Sequence, residues 1–276
     1  MKIDLHNHTI YSDGLLTPEE LVNNAVKNNV NVFALTDHDS VDGCEETYLI
    51  AKEKGIKMIK GMEMSTYYKG ESVHIVCLFK NNIIPHEIID YSLKLKEKRR
   101  KRCIDMMNKI HDIYGLKIDL DSLLKNSNII TRANMLRNIA KENNLSQEEA
   151  SKYISKDSKA YIPSTKMSVK DGLEIARKAN CLCIFAHPCL IKNQDYVKEI
   201  LDFGFDGIEV KYPLPENDEM KYRKLAKEYG LFVSAGSDCH GDSTHIDKSR
   251  AHGVIGTRYL DEEEFSVIKK LLNMED

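Results

Sequence analysis

The sequence predicts an α/β fold, an irregular barrel interrupted by a helical insertion, and three observations carry that prediction. Short apolar, strand-like runs alternate with helical patterns, an order that implies mostly parallel connections. Six of the ten histidines stand where such a run ends or folds back, and they travel with carboxylates. The alternation then lapses between about residues 85 and 163, where the pattern is helical, polar and without a convincing buried strand.

The elements follow in order. Lys2 to His6 reads as the first strand. Thr17-Pro18-Glu19-Glu20 opens a helix running to about Asn28, with Thr17 as N-cap and Pro18 in the first turn. Val30 to Leu35 is the second strand, and Val41 to Lys54 a helix closed by Gly55. Lys57 to Ser65 and Ser72 to Phe79 form a hairpin about Lys69-Gly70. A two-residue turn there pairs Ser65 with His74 and Glu63 with Val76, which makes Glu63 and His74 diagonal neighbours on one face. Helices at Ser168 to Ala179, Gln194 to Phe203 and Asn217 to Tyr229 alternate with strands at Cys181 to Ala186, Asp206 to Val210 and Leu231 to Ala235. Seven strands result. Candidate ligands come from nearly all of them, which favours a barrel over an open sheet whose site gathers at one switch point. The expected organisation is a barrel from 1–84 and 164–276, with 85–163 as a helical insertion capping the substrate site.

Composition narrows the class. With 42% hydrophobic and 30% charged residues the chain reads as an ordinary soluble globular protein. A net charge of −3 argues against a polyanion-binding tail and a stable nucleic-acid complex. Seven cysteines without paired spacing suit reduced thiols in a cytoplasmic protein. Lys2-Ile3-Asp4-Leu5 enters a strand at once, so no signal peptide is expected. No apolar run approaches the ~18 residues a membrane helix needs.

The chemistry lies in the histidines. His6 and His8 are two apart and leave one strand face together, and Asp238 and His240 repeat the spacing. With Asp13, His38, Glu63, His74 and His187 they make a cluster of imidazoles and carboxylates that suits several borderline divalent metals, and no Cys-x-x-Cys competes. Asp13, in Tyr11-Ser12-Asp13-Gly14, is a ligand or a turn residue. Asp4, Asp37 and Asp39 are expected to orient imidazoles or to cap turns. Cys77, Cys181 and Cys183 read as strand hydrophobes, and Cys239 points away from the face of Asp238 and His240. His86 and His111 belong to the polar surface of the insertion. His245 and His252 stand outside the expected ligand set, although a loop could carry either toward it.

His6-Asn-His8, Ser12-Asp13-Gly14, Thr36-Asp37-His38-Asp39, Gly61-Met-Glu63, Ala186-His187-Pro188 and Gly236-Ser-Asp238-Cys-His240 together resemble the PHP (polymerase and histidinol phosphatase) family over essentially the whole chain. The resemblance implies a distorted seven-stranded barrel with three divalent metals, Mn, Fe or Zn in preference to Mg. One metal would be held by His6, His8, Glu63 and Asp238. A second would share Glu63 and add His74 and His187, and a third would take Asp13, His38 and His240. Asp13 and the insertion are similar to the branch that dephosphorylates 3′,5′-nucleotide bisphosphates and trims the 5′ ends of short RNAs, whereas histidinol phosphatases usually offer His in place of Asp13. Ile130-Thr131-Arg132-Ala133-Asn134 matches a stretch where that branch has Arg-Pro-His, so Arg132 is kept and Asn134 replaces the His. Arg99 to Arg102 is similar to its basic helix.

The implied reaction is hydrolysis of a phosphate monoester by a hydroxide bridging two metals, with Glu63, Asp238, His187 and Asp13 acting through the metals. Arg132, Arg102 and Asn134 would contact substrate, because guanidinium forks match phosphate geometry. The alternatives are a histidinol-phosphate phosphatase and a non-catalytic, metal-stabilised nucleic-acid-binding module. The filled set of nine ligand positions and the lack of a polymerase domain speak against the second.

Overall fold

The computed structural model describes residues 1–125, 130–163, 167–241 and 252–274. In chain order its elements are β1 (Ile3–Asp4), α1 (Pro18–Lys27), β2 (Val32–Leu35), α2 (Cys44–Glu53), β3 (Lys57–Tyr68), β4 (Glu71–Leu78), α3 (His86–Tyr114), α4 (Leu120–Lys125), α5 (Arg132–Asn143), α6 (Gln147–Ile154), α7 (Val169–Lys178), β5 (Leu182–Phe185), α8 (Tyr196–Leu201), β6 (Gly207–Lys211), α9 (Glu219–Tyr229), β7 (Phe232–Ala235) and α10 (Glu262–Leu271). The seven strands form one sheet in sequence order. Neighbours are parallel except β3/β4 and β4/β5, which are antiparallel. The edges approach closure through Leu5 N–H to Ala235 O (3.0 Å) and His8 N–H to Cys239 O (2.9 Å), giving a nearly closed barrel.

Local chemistry explains the boundaries. Thr17 and Glu20 form a reciprocal capping box on α1, and Pro18 occupies its first turn. Gly55, at φ +71°, follows α2 as the sequence predicts. The hairpin register is the expected one, with Ser65 opposite His74 and Glu63 opposite Val76. Two elements differ from expectation. β1 is only two residues long, because from Leu5 onward the backbone bonds to β7 and the segment after it. α10 was not foreseen from periodicity, although Asp261 and Glu264 form a capping box at its start.

Apolar side chains cover both faces of the sheet, as a barrel wrapped in helices requires. Ile3, Leu5, Val32, Ala34, Ile59, Val76, Leu78, Leu182 and Ile184 fill the interior, and Phe265, Ile268 and Leu272 close one end. Phe33, Leu35, Met62, Ile75, Cys183 and Phe185 face outward against α1, α2, α7 and α9. Toward the open end the inward positions become polar: Glu63 continues the side of Ile59, His74 that of Val76, and Glu209 lies on β6 between the outward Ile208 and Val210.

Helices α3 to α6 lie in the chain between β4 and β5, which pair directly. Although the segment reads as polar, many of its apolar residues converge on a cluster of their own containing Met106, Met107, Ile110, Met135 and Ile139. Much of the docking of α3 on the barrel centres on Asp39: Ser92 Oγ donates to Asp39 O (2.8 Å), Tyr91 Oη to Asp39 Oδ1 (3.1 Å), and Arg99 pairs with the Asp39 carboxylate.

Candidate metal centre

The predicted ligands meet at the open end of the barrel around Glu63, which is fully buried. Its Oε2 lies 3.1 Å from His6 Nε2, 3.2 Å from His8 Nε2 and 3.0 Å from His38 Nδ1. Its Oε1 lies 2.9 Å from both His74 Nδ1 and His187 Nε2. Asp238 Oδ1 faces His8 Nε2 at 3.0 Å and His6 Nε2 at 3.5 Å. Asp13 Oδ1 faces His240 Nε2 at 3.1 Å.

Donor atoms close enough to share a metal fall into overlapping groups: His6, His8, Glu63 and Asp238; His8, Asp13, His38 and His240; His38, Glu63 and His74; and Asp238, His240 and His252. The first reproduces the first implied ligand set. His38 stands between the second and third sets instead of belonging to one, and His187 joins through Glu63 Oε1.

Whether these residues suit metal ions is decided by atoms that the chain itself does not satisfy. His6 Nε2, His8 Nε2, His38 Nδ1, Glu63 Oε2 and Asp238 Oδ1 are buried and make no hydrogen bond of acceptable geometry. Buried polar atoms are ordinarily paired, and leaving them otherwise is costly. Converging on one space, they fit divalent cations with mixed nitrogen and oxygen ligands.

Electrostatics gives the same reading. Burial disfavours a charged His6, yet Glu63, Asp238 and Glu209 outweigh it and hold its pKa well above the ordinary value. His8 is likewise driven up to about 10, against burial, by Asp238 and Glu63. Burial opposes ionisation of Glu63, but His38, His6 and His74 hold its pKa well below the carboxylate range. For Asp238 the same opposition is overcome by His252, His6 and His240. His38 is the exception: burial depresses it to about 4 in spite of Glu63 and Asp13. The carboxylates thus hold protons on imidazole nitrogens at the centre of the cluster, and a bound divalent ion would take the place of those protons.

Backbone geometry is specialised here. His187, Asp238 and Asp39 adopt positive φ (+32°, +47° and +53°), costly for residues other than glycine and typical of functional sites. Gly236 is required for another reason, since a Cβ there would lie 2.2 Å from His6 Cβ and 2.6 Å from Glu209 Oε1.

For the supporting carboxylates the structure decides between the two expected roles, and it selects the capping one. Asp4, Asp37 and Asp39 do not hydrogen-bond imidazoles. Asp4 accepts from Ser237 N–H (3.0 Å) and Gly256 N–H (2.7 Å), and burial lifts its pKa to about 6. Asp37 accepts from Thr9 N–H (2.8 Å) and Ser12 Oγ (2.6 Å), and Asp39 from Ser65 N–H (2.8 Å). The imidazole-orienting carboxylate is Glu209, which the sequence reading missed. Its Oε1 accepts from His6 Nδ1 (3.1 Å), directing His6 Nε2 to Glu63, and its Oε2 accepts from His187 N–H (2.7 Å). The available signal was a glutamate flanked by Ile208 and Val210 in a buried strand. Tyr212, which donates to Asp238 Oδ2 (2.7 Å), was missed as well, whereas His252, outside the expected ligand set, is carried to Asp238 by its loop. His245 lies outside the described residues. His86 and His111 are exposed, and Cys239 is buried in the outer core, as expected.

A cleft of about 940 Å³ opens over the cluster. Asp13, His38, His74 and His187 line it from the barrel, and Lys94, Lys98, Arg99, Arg102, Arg132 and Lys156 from the insertion. Arg102 Nε donates to Ile162 O (2.7 Å) and Arg132 Nη2 to Ile154 O (3.2 Å). Asn134 is engaged elsewhere. Its Oδ1 accepts from Thr131 N–H (2.8 Å) and Oγ1 (2.6 Å), closing the capping box of α5.

Known proteins give this geometry a lineage. The family model for the PHP domain matches residues 4–229. A 5′-3′ exoribonuclease of Haemophilus influenzae is 32% identical over 252 residues, spanning 87% of this chain and 90% of its own. A 3′,5′-nucleoside bisphosphate phosphatase of Chromobacterium violaceum is 31% identical over 251 residues, spanning 86% and 87%. Among solved structures, a protein of Bifidobacterium adolescentis has the same fold, superposing with a TM-score of 0.81 at 23% identity, over 98% of this chain and 96% of that one. The chain belongs to the PHP domain family and is a metal-dependent phosphoesterase.

Proposed function

We propose that this enzyme hydrolyses phosphate monoesters of nucleotides, foremost 3′,5′-nucleotide bisphosphates with release of the 3′-phosphate, and acts on the 5′ ends of short RNA. One observation carries the reading: a single cleft sets a carboxylate–imidazole cluster against a wall of cations. Such a cleft suits a substrate with one phosphate to be cleaved and a second to be held. The two relatives above, which share about a third of their residues with this chain, are named for these two activities.

In this reading three divalent ions are bound, Mn, Fe or Zn in preference to Mg because six of nine proposed ligands are imidazoles. The ligands are His6, His8, Asp13, His38, Glu63, His74, His187, Asp238 and His240. Bound ions would polarise phosphoryl oxygens and bring the pKa of water toward neutrality. Glu63 presents both oxygens to different imidazoles, the arrangement of a carboxylate shared between ions. Arg132 and Arg102 hold the distal phosphate, and α3 to α6, within 85–163, act as the substrate cap. Asn134 supports that cap through the start of α5.

The deciding experiment is a phosphatase panel on the metal-reconstituted enzyme containing a 3′,5′-nucleotide bisphosphate, AMP, a 5′-phosphorylated short RNA and histidinol phosphate. Turnover of the bisphosphate or the RNA well above the others is expected. Histidinol phosphate turning over fastest would overturn the substrate assignment and leave the metal centre standing.

A further inference from the structure

We propose that His252 is a positioning residue for Asp238, fixing that carboxylate so that one oxygen is presented to the metal centre. The two oxygens of Asp238 live in different surroundings. Oδ1 faces His6, His8 and His240 at 3.5, 3.0 and 3.5 Å and makes no hydrogen bond of acceptable geometry. Oδ2 points the other way, accepting from the Tyr212 hydroxyl (2.7 Å) and lying 3.0 Å from His252 Nδ1. Two donors on one oxygen hold the carboxylate plane and leave the second oxygen for a cation, as outer hydrogen bonds do for metal ligands.

The place of His252 is built, not incidental. Its ring packs on His240 with centroids 4.0 Å apart, and His240 packs on His8 at 4.2 Å, so the three imidazoles form a row along the centre. The backbone that follows is tied to the same motif. Gly253 N–H donates to Ser237 O (2.7 Å), Gly256 N–H to Asp4 Oδ2 (2.7 Å) and Thr257 N–H to Ser237 Oγ (3.0 Å). Ser237 immediately precedes Asp238, so the segment carrying His252 and the carboxylate it touches are anchored to one platform. Asp238 itself sits at φ +47°, a conformation that needs such anchoring.

The proposal rests on the metal-centre reading but not on the identity of the substrate. It is tested by titrating Co²⁺ into the full-length, metal-depleted protein and following visible absorption and bound-metal stoichiometry, comparing wild type with H252A and H252N. H252A is expected to bind one ion about 10- to 100-fold more weakly while the other ions bind as in wild type. The asparagine amide can donate from nearly the position of Nδ1, so H252N should lie within about threefold of wild type. It also keeps the test decisive if H252A fails to fold. H252A binding every ion like wild type would overturn the proposal. So would H252N being as weak as H252A, since that would mean the imidazole itself, not its donor, is needed. Wild type taking up no ion would sink the metal-centre reading and this proposal with it.

Discussion

On the barrel side of the cleft Glu63, His8 and Asp238 are almost wholly removed from solvent, and Glu209, accepting from His6 Nδ1 and His187 N–H, and Tyr212, donating to Asp238, hold the cluster in place. On the cap side Lys94 and Lys98 stand exposed on α3, and Arg102 and Arg132 are steadied by donating to the backbone carbonyls of Ile162 and Ile154. One wall is buried and braced by these partners, so its groups have little room to move. The other is lightly held, and its charges are screened by water until a ligand covers them. The contrast assigns roles: the rigid wall sets the chemistry, and the adaptable wall reads the substrate.

The largest effect should come from the centre of the rigid wall. Glu63→Gln removes the negative charge offered to every group around it, and we expect metal content and hydrolysis to fall together, by at least about 100-fold in kcat/KM. Elemental analysis beside kinetics checks this, and full activity with reduced metal would break the link between the wall and the reaction.

On the cap wall, Arg132→Ala should lower kcat/KM for a bisphosphate by about 10- to 100-fold, the worth of a charge-assisted hydrogen bond to phosphate. Hydrolysis of a generic aryl phosphate in the same preparation should fall by less than about threefold, since it has no second phosphate to lose. Equal losses on both would place Arg132 on the reaction side of the comparison.

The joint between the walls should respond in stability. Arg99→Met removes the guanidinium from buried Asp39 while keeping packing bulk, and a loss of about 1–3 kcal/mol is expected in chemical denaturation. An unchanged midpoint would mean that α3 is held by its other contacts, among them the Ser92 and Tyr91 hydrogen bonds and the Lys96–Asp42 ion pair. The smallest effect should be at Asn134. Its replacement by alanine removes a capping interaction worth about 0.5–2 kcal/mol, and the ratio of bisphosphate to aryl-phosphate turnover should not change. A changed ratio would return Asn134 to the substrate site.

The sequence by itself determined the order of the strands, the cap of α1 and which imidazoles and carboxylates gather at the open end of the barrel. Periodicity and turn chemistry are local properties, and imidazoles paired with carboxylates at strand ends have few other uses. The Lys69-Gly70 hairpin shows how far this reaches, because a two-residue turn fixes register and so brings Glu63 to His74 from sequence alone. Tertiary structure decided the remainder. Glu209 is legible only once the barrel closes, because nothing local says which side of β6 faces His6. His252 reaches Asp238 through a segment anchored to Ser237, and no periodic pattern encodes such a contact. Asn134 was assigned from the company it keeps in the chain, yet its hydrogen bonds go to Thr131, three residues back. Distant pairs such as His6 with Glu209 depend on the path of the whole chain between them, which a local pattern does not specify.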